Sequence, residues 1–377
     1  MAGKRIRKKH SDKDSEPREE VCPLCGDALP DDPSERVYGI TGRAVCATCL
    51  GAADIIYSAR KKRESSEDKE PVRIHTPQEI RKVLDQSIIG QDEAKDAISV
   101  ALGKQQLRRK GENVPNANML FYGPTGCGKT ALIQQAAKAV GLPFISFDAT
   151  TLTEAGYRGR NAGDMVCDLA NRCGTQEKVE YGVIFVDEVD KLAALKGNDY
   201  RAVYSKGTQH SLLKVIEGTE IDAGFQTVNT EHILFIFGGA FSGLTRKVPE
   251  NRHPIGFAGA ELPKKNEEER ALSVEDFIEY GMEPELMGRI GRCVPLHELN
   301  AEDMKQILLN SSLSVYRKYQ CFFEKRKKGL YMSPKTMDAL IQTALQRGVG
   351  ARGLNALVEE WVEPKLAQLA EELYEET

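Results

Sequence analysis

The glycine-rich run Gly123–Thr130 constrains the fold of this chain more than any other segment. Its sequence, GPTGCGKT, fits the pattern G-x-x-x-x-G-K-[ST] and joins the apolar run NMLFY to the amphipathic run TALIQQAAKAV. Such a turn between a strand and a helix directs backbone N–H groups and a helix N-terminus at one point, where they bind phosphate. The run therefore predicts a nucleotide-binding P-loop, in which Lys129 contacts the β- and γ-phosphates and Thr130 binds Mg²⁺. We expect nucleotide contacts from the whole loop: Gly123, Pro124, Thr125, Gly126, Cys127, Gly128, Lys129 and Thr130.

A second apolar run, VIFVDE, ends in the acidic pair Asp187 and Glu188. A buried strand of this kind would place the pair at its carboxyl end, where parallel sheets bind their ligands. There Asp187 would hold Mg²⁺, and Glu188 would activate the attacking water as a general base. Downstream of a P-loop, the pair predicts ATP hydrolysis.

Short apolar runs alternate with helical periodicity through the middle of the chain, which predicts an α/β fold with a parallel sheet covered by helices on both faces. The predicted strands are Asn118–Tyr122, Phe144–Asp148, Val183–Asp187, Ile233–Phe237 and Cys293–Leu296. Helices between them include Thr130–Val140 and Gly163–Cys173. After Asn300 the pattern predicts helices only, namely Ala301–Tyr319, Ser333–Gln346 and Gly353–Glu376.

Four of the nine cysteines form the spacing C-x2-C-x20-C-x2-C: Cys22, Cys25, Cys46 and Cys49. Two such pairs can hold one tetrahedral Zn²⁺, and four thiolates leave no position open for water. The quartet therefore predicts a structural zinc site whose metal helps a small segment to fold.

Composition divides the chain into five parts. Residues 1–20 are charged and poor in apolar residues, which predicts a disordered tail, and 21–59 form the zinc module. The charge-mixed stretch 60–71 is typical of a flexible linker. We expect a large ATPase domain over 72–299 and a small helical domain over 300–377.

The overall charge bears on partners and location. The chain has 52 Lys and Arg against 56 Asp and Glu, a formal net charge of -4, which argues against a nucleic-acid-coating or membrane-surface protein. No apolar run approaches the roughly 18 residues of a membrane-spanning helix, and the N-terminus lacks the apolar core of a secretory signal. We expect a cytoplasmic protein.

Two arginines could stabilise the charge that develops on the γ-phosphate during hydrolysis. Arg289 lies in EPELMGRIGR and Arg352 lies in GVGARGL, at the start of a predicted helix. Spacing alone does not separate either one from an ordinary surface arginine.

Taken together, these motifs resemble the ClpX family of AAA+ ATPases, from residue 21 to about 370. Besides the zinc quartet, GPTGCGKT and VIFVDEVDK, the resemblance depends on TPQEIRKVLDQSIIGQDEAK, LTEAGYRGR, SLLKVIEGT, ILFIFGGAFSGL, PELMGRIGR and GARGL. It implies an AAA+ fold and an ATP-driven protein unfoldase that uses ATP, Mg²⁺ and Zn²⁺ and assembles as a homo-hexameric ring. It also implies unfolded or tagged protein substrates, a ClpP-type peptidase partner, and adaptor proteins recruited by the zinc module.

The resemblance also assigns roles to individual residues. Ile88, Ile89 and Gln91 fall on the adenine-side segment. Arg289 falls on the arginine finger, which acts in trans, and Arg352 falls on sensor 2.

Two further segments match loops of the family. Tyr157, followed by Arg158, falls on the pore loop that grips the polypeptide. Ile255, Gly256 and Phe257 form the IGF tripeptide that docks into the peptidase, although a buried turn is the alternative from the residues alone.

This chain also departs from the family pattern. The pore loop reads GYRGR where the family has GYVGE, so Arg158 and Arg160 add two cations per subunit, and the stretch EGTEIDAGFQTVNTEH lacks the basic RKH loop. Our hypothesis is that the basic pore loop favours acidic degrons or acidic partners. It would be wrong if Arg158→Val left the preference between acidic and neutral tags unchanged.

Three other functions fit parts of the sequence. A remodelling chaperone without a peptidase would keep every ATPase motif. A nucleic-acid motor would use the zinc knuckles and the basic residues, but the net charge and the lack of interleaved aromatics argue against it. A slow nucleotide-gated switch is opposed by the intact Glu188 and Arg289.

Overall fold

The computed structural model of the protein describes residues 21–22, 28–29, 36–38, 44–46, 48–50, 74–153, 159–173, 176–194, 200–224, 226–244 and 272–375. The chain divides into two units, Met1–Pro71 and Val72–Thr377. The predicted tail 1–20 and the predicted linker 60–71 lie outside the described residues. In the first unit, strand β1 (Arg36–Tyr38) pairs antiparallel with β2 (Ala44–Cys46).

A five-stranded parallel sheet organises the second unit. Its strands are β3 (Met119–Tyr122), β4 (Phe144–Asp148), β5 (Val183–Asp187), β8 (Leu234–Gly239) and β9 (Arg292–Pro295), in the spatial order β4-β5-β8-β3-β9. The P-loop strand β3 lies between β8 and β9, and β5 lies between β4 and β8. Because all five strands run the same way, their carboxyl ends form one edge of the sheet.

Alternating side chains on each strand pack into separate cores on the two faces of the sheet. Ile184 and Val186 of β5 belong to one core, whereas Val183 and Phe185 belong to the other. Both faces are therefore covered, which is why the strands read as continuous apolar runs. The predicted fold class is confirmed.

Helices cover these faces and extend beyond the sheet. They are α1 (Pro77–Asp85), α2 (Asp92–Arg109), α3 (Lys129–Ala139), α4 (Ala162–Cys173), α5 (Gln176–Glu180), α6 (Tyr200–Glu217), α7 (Val274–Tyr280) and α8 (Pro284–Ile290). A short 3₁₀ turn, Val189–Leu192, follows β5. Among the described residues, none of the helices has the length and apolar character needed to cross a bilayer.

The C-terminal region is helical and has a third core, formed by residues from Leu299 to Leu369. Its helices are α9 (Ala301–Asn310), α10 (Val315–Glu324), α11 (Pro334–Gln346) and α12 (Gly350–Glu375).

The predicted single helix Ala301–Tyr319 is wrong, because the chain breaks between α9 and α10. Ser314 caps α10 by accepting a hydrogen bond from the Arg317 backbone N–H, and its hydroxyl donates to the Leu308 carbonyl at 2.6 Å. Ser311 donates to the Ser87 carbonyl, also at 2.6 Å. Serine hydroxyls that bond the backbone compete with helix continuation in this way.

The sequence analysis also missed a small antiparallel hairpin, β6 (Glu220–Asp222) with β7 (Thr227–Asn229). The hairpin occupies the stretch that lacks the family's basic loop. Each strand has three residues with a single apolar side chain, so neither gives a clear alternating pattern.

Candidate active site

The P-loop leaves β3 at the carboxyl edge of the sheet, and its glycines are required by close backbone approaches. Gly123 has φ 149°, and a β-carbon there would lie 2.2 Å from the Leu296 carbonyl oxygen. Gly126 has φ 82°, and a β-carbon there would lie 2.6 Å from the Val349 carbonyl oxygen. Only glycine fits two such positions, so the loop can pass this close to its neighbours.

Lys129 begins helix α3 and turns back over the loop. Its Nζ donates hydrogen bonds to the carbonyl oxygens of Gly123 at 2.7 Å and Pro124 at 3.0 Å, and the residue is only 9% exposed. Its Nζ also lies 3.8 Å from the Cys127 sulfur. Burial raises the pKa of the Cys127 thiol, and the nearby Lys129 charge opposes that rise. Lys129 is therefore the buried cation of the loop.

Asp187 and Glu188 end β5 beside the P-loop. The Thr130 hydroxyl donates to Asp187 Oδ2 at 3.0 Å, and the Glu188 backbone N–H donates to Asp187 Oδ1 at 2.9 Å. Thr130 and Asp187 thus present oxygen atoms of the type that Mg²⁺ prefers. Glu188 has φ 57°, a left-handed conformation that is strained for a non-glycine residue and recurs at functional sites.

Asp190 is a residue of this edge that the sequence analysis missed. It is buried in the turn after β5, and its Oδ1 accepts a hydrogen bond from the Ala240 backbone N–H at 3.2 Å, immediately after β8. Asp190 therefore ties together the carboxyl ends of two neighbouring strands. Its place in VDEVDK was visible, but nothing in the sequence indicated the partner on β8.

The start of α12 closes the site from the helical region. The Ala351 backbone N–H donates to the Gly126 carbonyl at 3.0 Å. Gly350 has φ 57°, and a β-carbon on Gly126 would lie 2.9 Å from the Gly350 Cα. This contact places Arg352 on the wall of a cavity of about 460 Å³. The cavity is also lined by Gly128, Lys129, Thr130, Asp187, Glu188, Asp190, Ser242 and Asn355.

Asn355 gives this cavity an unsatisfied polar group. Its Oδ1 is buried and has no hydrogen-bond partner among the described residues. A buried acceptor left unpaired costs roughly 1–3 kcal/mol. Lys129 and Arg352 bring positive charge to the cavity, and Thr130 and Asp187 bring oxygen ligands for a metal ion, which suits the cavity to a nucleotide with Mg²⁺.

A second cavity, of about 250 Å³, lies on the other side of the loop–α12 contact. Its lining includes Cys127 and apolar side chains of the helical region, Leu299, Met304, Ala344 and Leu345. The P-loop therefore borders two cavities: charged side chains such as Lys129, Asp187 and Arg352 line the first, and side chains of the helical region line the second.

The predicted adenine-side residues support the loop and do not line either cavity. Gln91 is buried, and its side-chain amide exchanges two hydrogen bonds with the His297 backbone, at 2.8 and 2.9 Å. Its Nε2 also lies 3.5 Å from the Cys127 carbonyl. Ile88 is buried in a core, and Ile89 is half-buried.

Arg289 lies at the opposite, amino edge of the sheet. It ends α8 just before β9, and its backbone carbonyl lies 3.5 Å from the Asn118 side-chain amide, just before β3. It borders a cavity of about 630 Å³ whose other walls include residues that precede strands: Asn118, Tyr181 and His232. None of the P-loop residues lines this cavity.

One buried side chain links the turn after β5 to the start of α8, and it was not predicted from the sequence. Gln209 of α6 is fully buried, and its Nε2 donates to the Leu192 carbonyl at 2.7 Å, in the turn that follows Glu188. Its Oε1 accepts from the Glu283 backbone N–H at 2.8 Å, at the start of the helix that carries Arg289. A polar residue in an amphipathic helix is ordinarily solvated, so the position of Gln209 in α6 did not predict that its side chain is buried.

The first unit contains a cysteine cluster that fits zinc. The sulfurs of Cys22, Cys46 and Cys49 lie within 4.8 Å of one another, and Cys22 is buried. The Cys49 backbone N–H donates to the Cys46 sulfur at 3.4 Å. Clustered thiols of this kind suit a tetrahedral zinc ion. The predicted fourth ligand, Cys25, lies outside the described residues.

The predicted substrate and docking residues Tyr157, Arg158, Ile255, Gly256 and Phe257 also lie outside the described residues.

Arg160 is described, and it is not the free cation that we expected. Its guanidinium forms an ion pair with Asp168 and lies 4.4 Å from the centre of the Phe147 ring. Its charge is thus compensated locally by Asp168.

Comparison with known proteins identifies the family. The model for the AAA domain (Cdc48 subfamily) matches residues 114–293, and the model for the C-terminal, D2-small domain, of ClpB protein matches residues 299–374. Three similar proteins are each named ATP-dependent Clp protease ATP-binding subunit ClpX. That of Treponema denticola is 36% identical over 369 residues, covering 90% of this chain and 87% of the relative. Those of Azotobacter vinelandii and Borrelia duttonii are 34% and 33% identical, each over 90% of this chain and over 83% and 85% of the relative. This chain is therefore an ATPase and belongs to the ClpX family of AAA+ proteins.

Proposed function

We propose that this protein is an ATP-driven protein unfoldase and translocase that feeds polypeptides to a ClpP-type peptidase. The observation that carries the proposal is the convergence of the P-loop, the β5 acidic pair and the start of α12 on one polar cavity, with Arg289 at the far edge of the sheet. The similarity to proteins named as Clp protease subunits supports the peptidase partner.

Each residue of the cavity has a role in the proposed hydrolysis. Lys129 leaves its two carbonyl partners and contacts the β- and γ-phosphates of ATP, while Thr130 and Asp187 hold Mg²⁺. The ion, when bound, neutralises the charge on the phosphate oxygens. Glu188 accepts a proton from the attacking water, and Arg352 donates to the γ-phosphate from the helical region.

Arg289 cannot line the P-loop cavity of its own chain while it lies at the amino edge, so we assign it to the nucleotide of a neighbouring subunit. A repeated head-to-tail contact of this kind closes into a ring. A homo-hexamer follows from the family, and it provides a central pore for the polypeptide.

The P-loop contact with α12 explains how hydrolysis could move the polypeptide. Because Gly126 bonds directly to Ala351, a change at the γ-phosphate alters how α12 meets the loop. We assign Tyr157 to gripping the substrate in the pore, with Arg158 as a neighbouring cation. Ile255, Gly256 and Phe257 dock into the peptidase, and the zinc module recruits substrates and adaptors in a cytoplasmic setting.

Degradation of an unfolded, tagged reporter tests the proposal. The protein and ATP are incubated with the reporter, with and without a ClpP-type peptidase. We expect ATP-dependent loss of the reporter only with the peptidase, and none with Glu188→Gln. Phe257→Ala should retain ATP hydrolysis and lose degradation. Reporter loss that does not depend on ATP, or that survives Glu188→Gln, would contradict the proposal.

A further inference from the structure

We propose that Glu217 is a positioning residue for Arg289, one that holds the guanidinium ready for the nucleotide of the neighbouring subunit. This inference depends on the proposed role of Arg289 as a finger acting in trans. Glu217 ends α6 at the amino edge of the sheet and borders the same cavity as Arg289.

The contact occupies one edge of the guanidinium and leaves the other open. Arg289 Nε and Nη2 lie 3.0 and 2.7 Å from a single oxygen, Oε1 of Glu217. Among the described residues, Nη1 has no hydrogen-bond partner. Since a guanidinium has five N–H donors in a rigid plane, fixing one edge also fixes the direction of the donors that remain.

Buried groups hold the end of α6 that carries Glu217. The Thr230 hydroxyl is fully buried; it donates to the Val215 carbonyl at 2.7 Å and accepts from the Thr219 backbone N–H at 2.9 Å. Gly218 between them has φ 104°, and a β-carbon there would lie 3.3 Å from the Glu231 side chain. The backbone that carries the Glu217 carboxylate is therefore held in place.

The same helix also fixes the element that carries Arg289. Gln209, two turns before Glu217, binds the backbone N–H of Glu283 at 2.8 Å, at the start of α8. Both partners of the ion pair are thus positioned from α6, which makes their relative placement part of the fold.

Stability does not account for this pair. Arg289 is 58% exposed and Glu217 is 40% exposed, and pairs this open contribute little to folding. Holding a long side chain in one geometry instead removes rotamer freedom before the phosphate arrives, which is the benefit of preorganisation. We expect a contribution of about five- to tenfold in kcat.

A double-mutant cycle in the full-length assembled protein tests the inference. Steady-state kcat and KM for ATP are measured for Glu217→Ala and Glu217→Gln, and single-turnover hydrolysis is measured for Arg289→Ala with and without Glu217→Ala. We expect Glu217→Ala to lower kcat about five- to tenfold with KM unchanged, whereas Glu217→Gln, which keeps the acceptor oxygen, stays within about twofold of the native rate. In the Arg289→Ala background, Glu217→Ala should have no further effect. Glu220→Ala, an exposed acidic residue of the adjoining hairpin, is the matched control and should hydrolyse ATP at the native rate.

The outcomes separate the inference from the proposal beneath it. If Arg289→Ala leaves hydrolysis at the native rate, the finger assignment fails. If Arg289→Ala is impaired but Glu217→Ala lowers the rate equally in both backgrounds, or raises only KM, Glu217 does not act through Arg289 and the inference fails. Because Glu217→Gln nearly preserves the volume of the side chain, a rate loss with Gln as large as with Ala would also overturn the role of the acceptor oxygen.

Discussion

The two edges of the central sheet are built in different ways. At the carboxyl edge, Asp187 ends β5 and Glu188 follows it, while Lys129 follows β3 through the P-loop, so backbone geometry places all three beside one another. At the amino edge, Arg289 and Glu217 end helices that are brought together by buried side-chain contacts. The polar nucleotide cavity has no contribution from Arg289. Under the proposed function, each chain would carry two incomplete parts of a hydrolytic site, and a neighbour in the ring would complete them.

The largest expected effect comes from breaking one edge at a time. Glu188→Gln removes the general base, and Arg289→Ala removes the finger, so each alone should lower ATP turnover by about 10³-fold. Assembled together in equal amounts, the two variants should recover about a quarter of the native rate, since a quarter of the interfaces pair an intact Glu188 with an intact Arg289. ATPase assays on co-assembled rings measure this recovery.

Double-variant chains carrying both substitutions provide the control for that experiment. Mixed in equal amounts with native chains, they also leave a quarter of the interfaces complete, whereas mixed with either single variant they complete none, so that rate should stay as low as the single variant's. A mixture of the two single variants that stays as inactive as either one would place both residues in the same site of one chain, and would remove the contrast between the edges.

A smaller effect should follow from loosening the carboxyl edge. A methyl group at Gly126 would meet the Val349 carbonyl at 2.6 Å, whereas one at Gly128, with φ 102°, would meet nothing within 4 Å. Both Gly126→Ala and Gly128→Ala pay the strain of a positive φ, about 1–2 kcal/mol. Gly126→Ala should add about 1–3 kcal/mol for the clash.

Urea unfolding without nucleotide distinguishes these two variants. The unfolding midpoint of Gly126→Ala should fall clearly below that of Gly128→Ala. Equal midpoints would mean that α12 can shift away from the added methyl group at little cost. The stability of the P-loop would then not depend on its contact with the helical region.

Gln209 connects the turn after β5 to the start of the helix that carries Arg289, so replacing it tests whether the two edges communicate. Gln209→Leu keeps the size of the side chain but leaves the Leu192 carbonyl and the Glu283 N–H unpaired, which should cost about 2–4 kcal/mol of folding free energy. We also expect weaker cooperativity in ATP hydrolysis, because the turn after Glu188 would no longer be tied to the helix of Arg289. The exposed neighbour variant His210→Ala is the control. An unchanged Hill coefficient in a folded Gln209→Leu ring would show that the edges work independently.

The difference between the two edges explains which parts of the fold and of the candidate site could be predicted from the sequence. The bounds of β4 and β5 were predicted as they occur, and the P-loop strand was missed by one residue, because a buried parallel strand and a glycine-rich turn are local patterns. The break at Ser311 and Ser314 was not predicted, since either serine can also face solvent on a helix. The residues at the carboxyl edge belong to short local motifs, so most of the candidate site could be predicted from the sequence.

Residues that act through distant partners were not visible. Gln209, Asp190 and Glu217 are ordinary polar letters in helical or turn segments, and their partners lie tens of residues away in the sequence. The Arg160–Asp168 pair shows the opposite error: a cation that looked free is neutralised by a carboxylate in the middle of α4. A sequence shows how many charged residues are present, but only the fold shows which of them lie beside an opposite charge.

The smallest expected effect comes from the first unit of the chain. Both edges of the sheet are built entirely from Val72–Thr377, whereas the cysteine cluster belongs to Met1–Pro71. Removing zinc with a chelator, or substituting Cys22→Ser, should unfold the small module, because metal binding supplies much of the folding free energy of such a segment. ATP turnover should nevertheless change by less than about twofold, since all the residues proposed for hydrolysis lie in Val72–Thr377 and the zinc ligands lie in Met1–Pro71. Zinc content by mass spectrometry, measured beside the ATPase rate, checks this. A tenfold loss of turnover on zinc removal would mean that ring assembly needs the zinc module. In that case Val72–Thr377 alone would not be enough to bring Arg289 of one chain to the nucleotide of its neighbour.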